Sequence, residues 1–309
     1  MGLRYDFLKK SPRVFRQMTT LTVEEFDTLS SKLKPEWTER EYARKCNQPN
    51  RKNAVGQGHP YFADFQTLLL LTVMYVKTNC GNIFLAVLFG INEQTVYDIS
   101  KKMLPLLQDR FIPDSKLRKK RGTINTMDEL LESYPGFAEV IADGTDIVTQ
   151  RPTRQQKKNY SGKSKRHSKK TVLLVNPKDG LIVGRTKLRP GAVHDKRILD
   201  EDRLHAKLDE NEDMLKRTDS AWTGEDEKKG WLVNKRGRRN HPLTQDEKKE
   251  NRKLSKIRIK VEHAIRRVKV FRRIGEKTSF RMKGKLDQVL NAAINLANFK
   301  QLLRHPISA

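Results

Sequence analysis

The chain has 309 residues, 36% of them hydrophobic and 33% charged, which is enough apolar material for one or two cores and excludes a disordered chain. Its 64 Lys and Arg residues against 37 Asp and Glu give a formal charge of +27, so a polyanion, nucleic acid first, is the expected partner. Composition leaves open a basic protein that merely visits anionic surfaces. The only cysteines, Cys46 and Cys80, provide neither a disulfide framework nor a cysteine-based zinc site and indicate a reducing compartment.

The start of the chain does not have the pattern of a targeting or membrane segment. Residues 1–15 lack the apolar core of a signal peptide, and the longest apolar run, 68–76, is too short to cross a bilayer. We therefore expect a soluble protein that stays inside the cell and has no membrane partner.

Helices dominate the first third of the chain. Residues 22–33 predict a helix with Thr22 as its N-cap, and the polar stretch 35–60 predicts a loop or linker. The basic run 116–121 predicts an exposed hinge to a second domain. Between the linker and the hinge, helical periodicity covers 62–77, 82–89 and 93–108.

The junction between the last two of these helices has a helix-turn-helix pattern. Gly90 opens a turn and Asn92 is positioned to cap the next helix, which has a polar face. A plain three-helix bundle fits the pattern equally well, and the basic charge of the chain favours DNA contact. The side chains that would reach a DNA groove are Gln94, Thr95, Tyr97, Lys101 and Lys102.

A strand follows the hinge. The apolar run Val140-Ile141-Ala142 precedes Asp143 and Gly144, a pattern that predicts a buried strand ending with a carboxylate at the edge of a sheet. The same pattern fits an ordinary Asp-Gly turn.

Residues 151–170 contain many bases, no acid and one tyrosine. This composition suits contacts to phosphates, with the ring of Tyr160 available for stacking on a base, although it also fits a solvated loop. The candidate DNA contacts here are Arg154, Lys157, Lys158, Tyr160, Lys163, Lys165, Arg166 and His167.

Further strands and a helix carry two more acids. Residues 171–176 and 181–188 predict antiparallel strands joined by a four-residue hairpin, and 196–208 predict a helix that Asp195 would cap. Residues 214–222 predict a fourth strand that ends at Asp219, followed by a short β segment over 230–235.

A long amphipathic helix over 254–271 carries Glu262 among many bases, and a final apolar helix over 286–303 closes the core. An i, i+4 ion pair of Glu262 with Arg258 or Arg266 is the ordinary explanation for a lone acid at this position. The order of elements otherwise predicts a mixed sheet flanked by helices, with Asp143, Asp219 and Glu262 gathered at one edge. Three carboxylates suit Mg²⁺ or Mn²⁺, and two such ions about 3.5 to 4 Å apart would support phosphodiester chemistry.

Five segments in the expected order resemble the DDE transposases of bacterial insertion sequences, in the group related to the eukaryotic Harbinger transposases. They are ADGTDIVTQRP (142–152), NYSGKSKRHSKKT (159–171), RPGAVHDKRIL (189–199), TDSAWTG (218–224) and KVEHAIRRVKVFRRI (260–274). The resemblance implies an α/β protein, with an all-α helix-turn-helix DNA-binding region over 1–121 and an RNase H-like mixed-sheet catalytic domain over 122–309. It also implies divalent metal, with DNA cut at terminal inverted repeats and joined to target DNA.

The resemblance places the three family acids on Asp143, Asp219 and Glu262, with Asp195 as the alternative second acid. It places the bases that flank the late acid on Arg258 and Lys269. The chain departs from the pattern at Ser255, where some relatives have tyrosine, and at Ala221-Trp222, where Gly-Tyr is usual.

Cutting and joining two ends implies a homodimer or a higher assembly on DNA, in the cytoplasm and nucleoid of a prokaryote. A domesticated nuclease without strand transfer and a non-catalytic DNA-binding regulator are the rival hypotheses.

Overall fold

The structure is a computed structural model, and its described residues form two compact units. The first unit is drawn from Met1–Arg110, Val270–Arg273 and Gly284–Leu296, and the second from Phe111–Lys269, Ile274–Lys283 and Ala297–Ala309. The predicted domain boundary between residues 121 and 122, like the predicted hinge, lies outside the described residues and stays a prediction. The structure describes residues 2–47, 62–108, 139–201, 208, 215–218, 231–235, 237, 242–278 and 284–305.

The bounds of the elements are as follows. The helices are α1 (Tyr5–Leu8), α2 (Pro12–Thr19), α3 (Val23–Cys46), α4 (Phe65–Lys77), α5 (Asn82–Phe89), α6 (Glu93–Met103), α7 (Gln156–Asn159), α8 (Asp195–Asp200), α9 (Gln245–Lys269), α10 (Arg272–Gly275) and α11 (Lys285–Arg304), with a 3-10 helix at Leu104–Leu107. The strands are β1 (Glu139–Val148), β2 (Tyr160–Ser161), β3 (Arg166–Val175), β4 (Ile182–Arg185), β5 (Arg189–Pro190), β6 (Leu215–Thr218) and β7 (Trp231–Val233).

Helix α3 begins where the sequence predicts and continues far beyond it. The hydroxyl of Thr22 accepts from the backbone N–H of Glu25 at 3.2 Å, and the Glu25 carboxylate accepts from the N–H of Thr22 at 2.9 Å. The predicted loop is wrong over residues 35–46, which extend α3 through Pro35. Burial of Trp37 against the ring of Phe65, with centroids 6.1 Å apart, offsets the cost of a proline inside the helix.

The predicted helix-turn-helix is confirmed in α5 and α6. Gly90 ends α5 with φ of +67°, in the left-handed region that glycine adopts readily, and the Asn92 side chain accepts from the N–H of Thr95 at 2.7 Å. The α-helical part ends at Met103 instead of continuing to residue 108, because Pro105 has no N–H to continue the hydrogen bonding.

Residues from the end of the chain complete this helical unit. The buried guanidinium of Arg273 donates to the carbonyl oxygens of Tyr75 at 2.6 Å and Thr78 at 3.3 Å, and also to that of Cys80. These carbonyls lie at and just beyond the C-terminal end of α4, where a helix leaves acceptors without partners.

The second unit is built on a mixed sheet with the order β2-β3-β1-β6-β7, and β4 and β5 also pair with β3. Strand β1 is antiparallel to β3 and parallel to β6, which is in turn parallel to β7. The predicted fold class, a helical region with a helix-turn-helix followed by an RNase H-like mixed sheet, is confirmed. So are the three antiparallel strands, the fourth strand and the short β segment.

Several strand ends differ from the predictions because cross-strand pairing extends them. Strand β1 continues to Val148, and β3 begins at Arg166, since residues 143–148 of β1 pair with 168–173 of β3. Strand β4 ends at Arg185, before the predicted end at residue 188.

Helix α9 begins before the predicted start because of an N-terminal cap. Thr244 and Glu247 form reciprocal hydrogen bonds at 3.2 and 2.9 Å, so the polar residues after Thr244 belong to the helix. Helix α9 packs on β1, β3 and β6, while α11 matches the predicted final helix. Of the predicted helix over 196–208, residues 202–207 lie outside the described part. No helix in the described ranges has the length and apolar character needed to cross a membrane.

Candidate active site and nucleic-acid interface

Asp143 lies in the middle of β1. The prediction that the strand ends at Asp143, and the alternative of an ordinary turn, are both wrong, because Gly144 continues the strand opposite Val172 of β3. The parallel pairing of β1 with β6 reaches only Ile141 on β1. Among the described strands, the stretch of β1 that carries Asp143 therefore has β3 as its sole partner, which leaves its other edge available for a pocket.

A pocket of about 560 Å³ lies along this stretch of β1. Asp143 from β1 and Glu262 from α9, which are distant in sequence, both line the pocket. The structure thus brings together two of the three predicted acids and three of the predicted bases. The other lining residues are Gly144, Thr145, Asp146, Val148, Ser164, Arg166, Ile265, Arg266, Lys269 and Gly275.

The carboxylate of Glu262 is half-exposed, with 48% of the side chain accessible to solvent. A guanidinium N–H of Arg258, one turn earlier on α9, donates to it at 3.4 Å. The ordinary explanation of Glu262 as an i, i+4 ion-pair partner is therefore satisfied in part. Such an exposed pair contributes only a few tenths of a kcal/mol, so it does not account for the place of Glu262 in the pocket.

Lys269 supplies positive charge close to the acids of β1. Burial lowers the pKa of its ammonium, while the carboxylates of Asp146 and Asp143 act in the opposite direction. A cation so placed can hold a phosphate oxygen beside the carboxylates.

Among the pocket residues that sequence reasoning missed, Thr145 and Asp146 lie in the same short motif as Asp143. Asp146 accepts from the hydroxyls of Ser161 at 3.3 Å and Ser168 at 3.2 Å, which connects the hairpin of β2 and β3 to the pocket. The hydroxyl of Thr145 is buried and, within the described residues, has no hydrogen-bond partner. The second acid after Asp143 was the available signal for Asp146, and the hydroxyl of Thr145 had no signal in a single sequence.

Asp195 has a different environment. It is the first residue of α8 and not its N-cap, and its carboxylate forms an ion pair with the buried ammonium of Lys170 at 3.1 Å. Gly144 leaves room for it, because a Cβ at residue 144 would lie 2.6 Å from the Asp195 Cγ and force that side chain to move. Asp195 is not among the described residues that line the pocket.

The third predicted acid, Asp219, lies outside the described residues, directly after the last residue of β6, Thr218. Among the described residues there is no group of three or more acids, histidines or cysteines arranged to hold a metal ion. The two described acids, Asp143 and Glu262, fit a divalent cation by their chemistry, since both present hard oxygen atoms to one pocket.

The predicted DNA-contacting residues of α6 have distinct environments. Gln94 and Lys101 are exposed, and the Gln94 amide donates to Asp98 at 3.0 Å. Thr95 is engaged in the cap of the helix, where its hydroxyl donates to Asn92. Tyr97 is half-buried beneath the ammonium of Lys285.

The predicted basic loop is partly a hairpin, since residues 166–170 belong to β3 and β2 pairs with them. Tyr160 is 42% exposed, and its ring meets the half-buried His167 edge-on with centroids 5.4 Å apart. Arg166 faces the pocket, as do Arg266 and Lys269 of α9. The remaining candidate DNA contacts of this segment are also exposed; they are Arg154, Lys157, Lys158, Lys163 and Lys165.

Comparison with known proteins gives consistent matches. Residues 142–298, more than half of the chain, match the family described as DDE superfamily endonuclease, and residues 64–113 match the helix-turn-helix of DDE superfamily endonuclease. The chain is 30% identical over 149 residues to the probable transposase for insertion sequence element IS702 of Microchaete diplosiphon. That match covers 46% of this chain and 50% of the relative, so the chain spans about half the length of that protein. No solved structure matches the chain.

Proposed function

Because this chain belongs to the DDE superfamily endonucleases, we propose that it is a transposase that cuts DNA at the terminal inverted repeats of an insertion sequence and joins the 3′-hydroxyl ends to target DNA. The pocket that gathers Asp143 and Glu262 with three bases is the observation that carries the proposal. Carboxylates bind divalent metal and the bases bind the phosphodiester, which are the two requirements of this chemistry. The similarity to a probable transposase supports the same reaction.

DDE superfamily endonucleases generally depend on divalent metal, and the acids of this pocket suit two ions of Mg²⁺ or Mn²⁺. Asp143, Glu262 and Asp219 would hold them. Bound there, the metal would lower the pKa of a water molecule or a 3′-hydroxyl and stabilise charge on the leaving oxygen.

The remaining pocket residues bind and orient the DNA backbone. Arg166, Arg266 and Lys269 line the same pocket as the acids and would contact the non-bridging oxygens of the phosphodiester that is cut. The hydroxyl of Thr145, buried in the pocket wall, would donate to a phosphate oxygen or to a water molecule beside Asp143. These groups are carried by strands and a helix of one unit, which fixes their mutual geometry.

Asp219 is a better second acid than Asp195. Strand β6 lies parallel and adjacent to β1, and Asp219 follows β6 directly in the sequence. The carboxylate of Asp195, in contrast, already neutralises the buried Lys170 and is not among the pocket residues. A carboxylate committed to a buried ammonium would leave that charge unpaired if it turned to a metal.

DNA binding outside the pocket is assigned to α6 and to the hairpin of β2 and β3. The exposed side chains of Gln94 and Lys101 would contact the DNA groove and backbone, and the exposed ring of Tyr160 would stack on a base. We expect the protein to act in the cytoplasm and nucleoid of a prokaryote, where insertion-sequence DNA is found.

The test is Mg²⁺- or Mn²⁺-dependent cleavage of supercoiled DNA that carries the element's own ends. We expect Asp143→Asn, Asp219→Asn and Glu262→Gln to lose cleavage by about a thousand-fold or more while DNA binding persists, since each removes a metal ligand. Asp246→Asn is the matched control, because Asp246 is an exposed acid on the same helix as Glu262.

The outcomes separate this function from its rivals. Cleavage without strand transfer would identify a nuclease, and tight, salt-sensitive binding with no metal-dependent cleavage would identify a regulator. If Asp195→Asn lost cleavage while Asp219→Asn remained fully active, Asp195 would be the second metal-binding acid. Analytical ultracentrifugation with end DNA tests the expected dimer, and one protomer per two ends would exclude it.

A further inference from the structure

Two cationic side chains, Arg273 and Lys285, contact two tyrosine rings inside the helical unit. The guanidinium carbon of Arg273 lies 3.9 Å from the centroid of the Tyr75 ring. The ammonium nitrogen of Lys285 lies 5.4 Å from the Tyr75 centroid and 5.5 Å from the Tyr97 centroid. Both distances are within the range of a cation–π interaction. Lys285 is only 8% exposed, so a charged group is held largely out of water.

The two lysines near these rings, Lys285 and Lys101, have no carboxylate partner among the described residues. Arg273 is satisfied by backbone carbonyls at the end of α4. Throughout the part of the chain that the structure describes, no carboxylate contacts Lys285 or Lys101. Burial, followed by the charges of Arg273 and Lys101, lowers the pKa of Lys285 from 10.5 to about 8. Burying an ammonium group costs desolvation free energy, and contacts with aromatic rings offset only part of that cost. A bound anion would offset more of it.

The position of the cluster indicates what kind of anion would bind to these lysines. Tyr97 and Lys101 lie on α6, the second helix of the helix-turn-helix, and Lys101 is exposed. The second helix of this motif lies in a DNA groove with backbone phosphates on either side of it. Phosphates contact lysines in a sequence-independent manner and set the register of the protein on the duplex.

We propose that Lys285 and Lys101 together bind one phosphodiester group of the DNA contacted by α6. This site rests on the proposed DNA-binding function and adds to it a residue from the C-terminal part of the chain. The phosphate would supply the missing negative charge between the two ammonium groups, and the rings of Tyr75 and Tyr97 would hold Lys285 in place.

The site predicts a specific pH dependence of DNA binding. The groups that face Lys285 are Tyr75 of α4, Tyr97 and Lys101 of α6, and Arg273 of α10. Burial raises the pKa of Tyr75, so its ring stays neutral as the pH rises through 8. Below that pH Lys285 is already protonated and ready for the phosphate. Above it, binding requires the uptake of a proton, so affinity falls as the pH rises.

The test is fluorescence anisotropy of the full chain with a random-sequence DNA duplex of about 30 base pairs, titrated at several KCl concentrations and between about pH 7 and pH 9. We expect Lys285→Met to weaken binding about three-fold or more and to reduce the salt slope by about one. Lys285→Arg keeps its charge at all of these pH values, so this variant should lose the part of the pH dependence that Lys285 causes.

Lys101→Met removes the exposed half of the site and should give a similar loss even if Lys285→Met perturbs folding. Lys34→Met, which removes one exposed charge from the same unit, is the matched control. Equal affinity and salt slope for the two site variants and Lys34→Met would overturn the phosphate site while leaving DNA binding intact. An unchanged pH profile in Lys285→Arg would also overturn it. Failure of the wild type to bind the duplex would instead remove the proposed function, and this site with it.

Discussion

One buried cation in each unit shows a different way of balancing a charge inside the protein. In the sheet unit, the buried ammonium of Lys170 has a carboxylate partner in Asp195, with 9% and 18% of the two side chains exposed. In the helical unit, the buried cations Arg273 and Lys285 have carbonyl oxygens and aromatic rings as partners among the described residues.

A buried ion pair is neutral without any ligand, so removing one member leaves a charge that the fold itself must bear. A buried cation without a counter-ion keeps its attraction for an external anion. We therefore expect variants of Lys170 and Asp195 in the sheet unit to change stability first. Variants of Lys285 in the helical unit should change ligand binding first.

The largest expected effect on stability is at Lys170. Lys170→Met leaves the carboxylate of Asp195 partly buried without its cation, and we expect the free energy of unfolding to fall by about 3 kcal/mol. Urea denaturation measures the loss. Lys169→Met is the control, because the neighbouring Lys169 ammonium donates to a neutral amide, that of Asn159, at 2.7 Å and has no carboxylate partner among the described residues. Equal stability of the two variants would show that the Lys170 pair does not stabilise the sheet.

In the helical unit, Arg273 tests how much a buried cation contributes to stability when its partners are backbone carbonyls. Arg273→Lys replaces a guanidinium that donates to the carbonyls of Tyr75, Thr78 and Cys80 by a single ammonium that cannot reach all of them. We expect a loss of about 2 kcal/mol, since acceptors at the end of α4 lose their donors. Thermal unfolding monitored at the tyrosines reports it. Arg272→Lys, an exposed change on the same short helix, should leave stability within about 0.5 kcal/mol.

A substitution at Gly144 tests how tightly the side chain of Asp195, the partner of Lys170, packs against β1. A Cβ at residue 144 would lie 2.6 Å from the Cγ and 2.7 Å from an oxygen of Asp195, so Gly144→Ala must shift the carboxylate that pairs with Lys170. We expect a loss of about 1 to 2 kcal/mol. In the Asp195→Ala background the same change should cost much less, because the clashing atoms are gone. Strict additivity of the two changes in a double-mutant cycle would exclude this contact.

The sequence signals that succeeded were local ones. Gly90 and Asn92 specify the end of one helix and the start of the next within three residues, so the helix-turn-helix could be predicted without tertiary information. The extension of α3 through Pro35 could not, because it depends on packing of Trp37 against a ring from another helix. The early start of α9 has a local signal, the reciprocal cap of Thr244 and Glu247.

The pocket depended on non-local information. That Asp143 and Glu262 would meet was expected from the order of elements, and they line one pocket. The prediction that the strand ends at Asp143 was wrong. Only the pairing with β3 shows that β1 continues past Gly144. The partner of Asp195 could not be predicted from the sequence either, because the contact joins the first residue of α8 to Lys170 in the middle of β3.

The smallest expected effect on stability separates the two explanations of Glu262. Its pair with Arg258 is a contact at 3.4 Å on the half-exposed side chain of Glu262, so the loss of this pair in Glu262→Gln should cost only a few tenths of a kcal/mol. If the acid served only this pair, Glu262→Gln and Arg258→Gln would cleave DNA alike. We expect them to differ in cleavage at saturating DNA and metal, where Arg258→Gln retains the chemical step and Glu262→Gln loses it by about a thousand-fold. Equal cleavage by both variants would show that Glu262 serves only in the ion pair with Arg258. Asp143 would then be the one described acid of the proposed metal site.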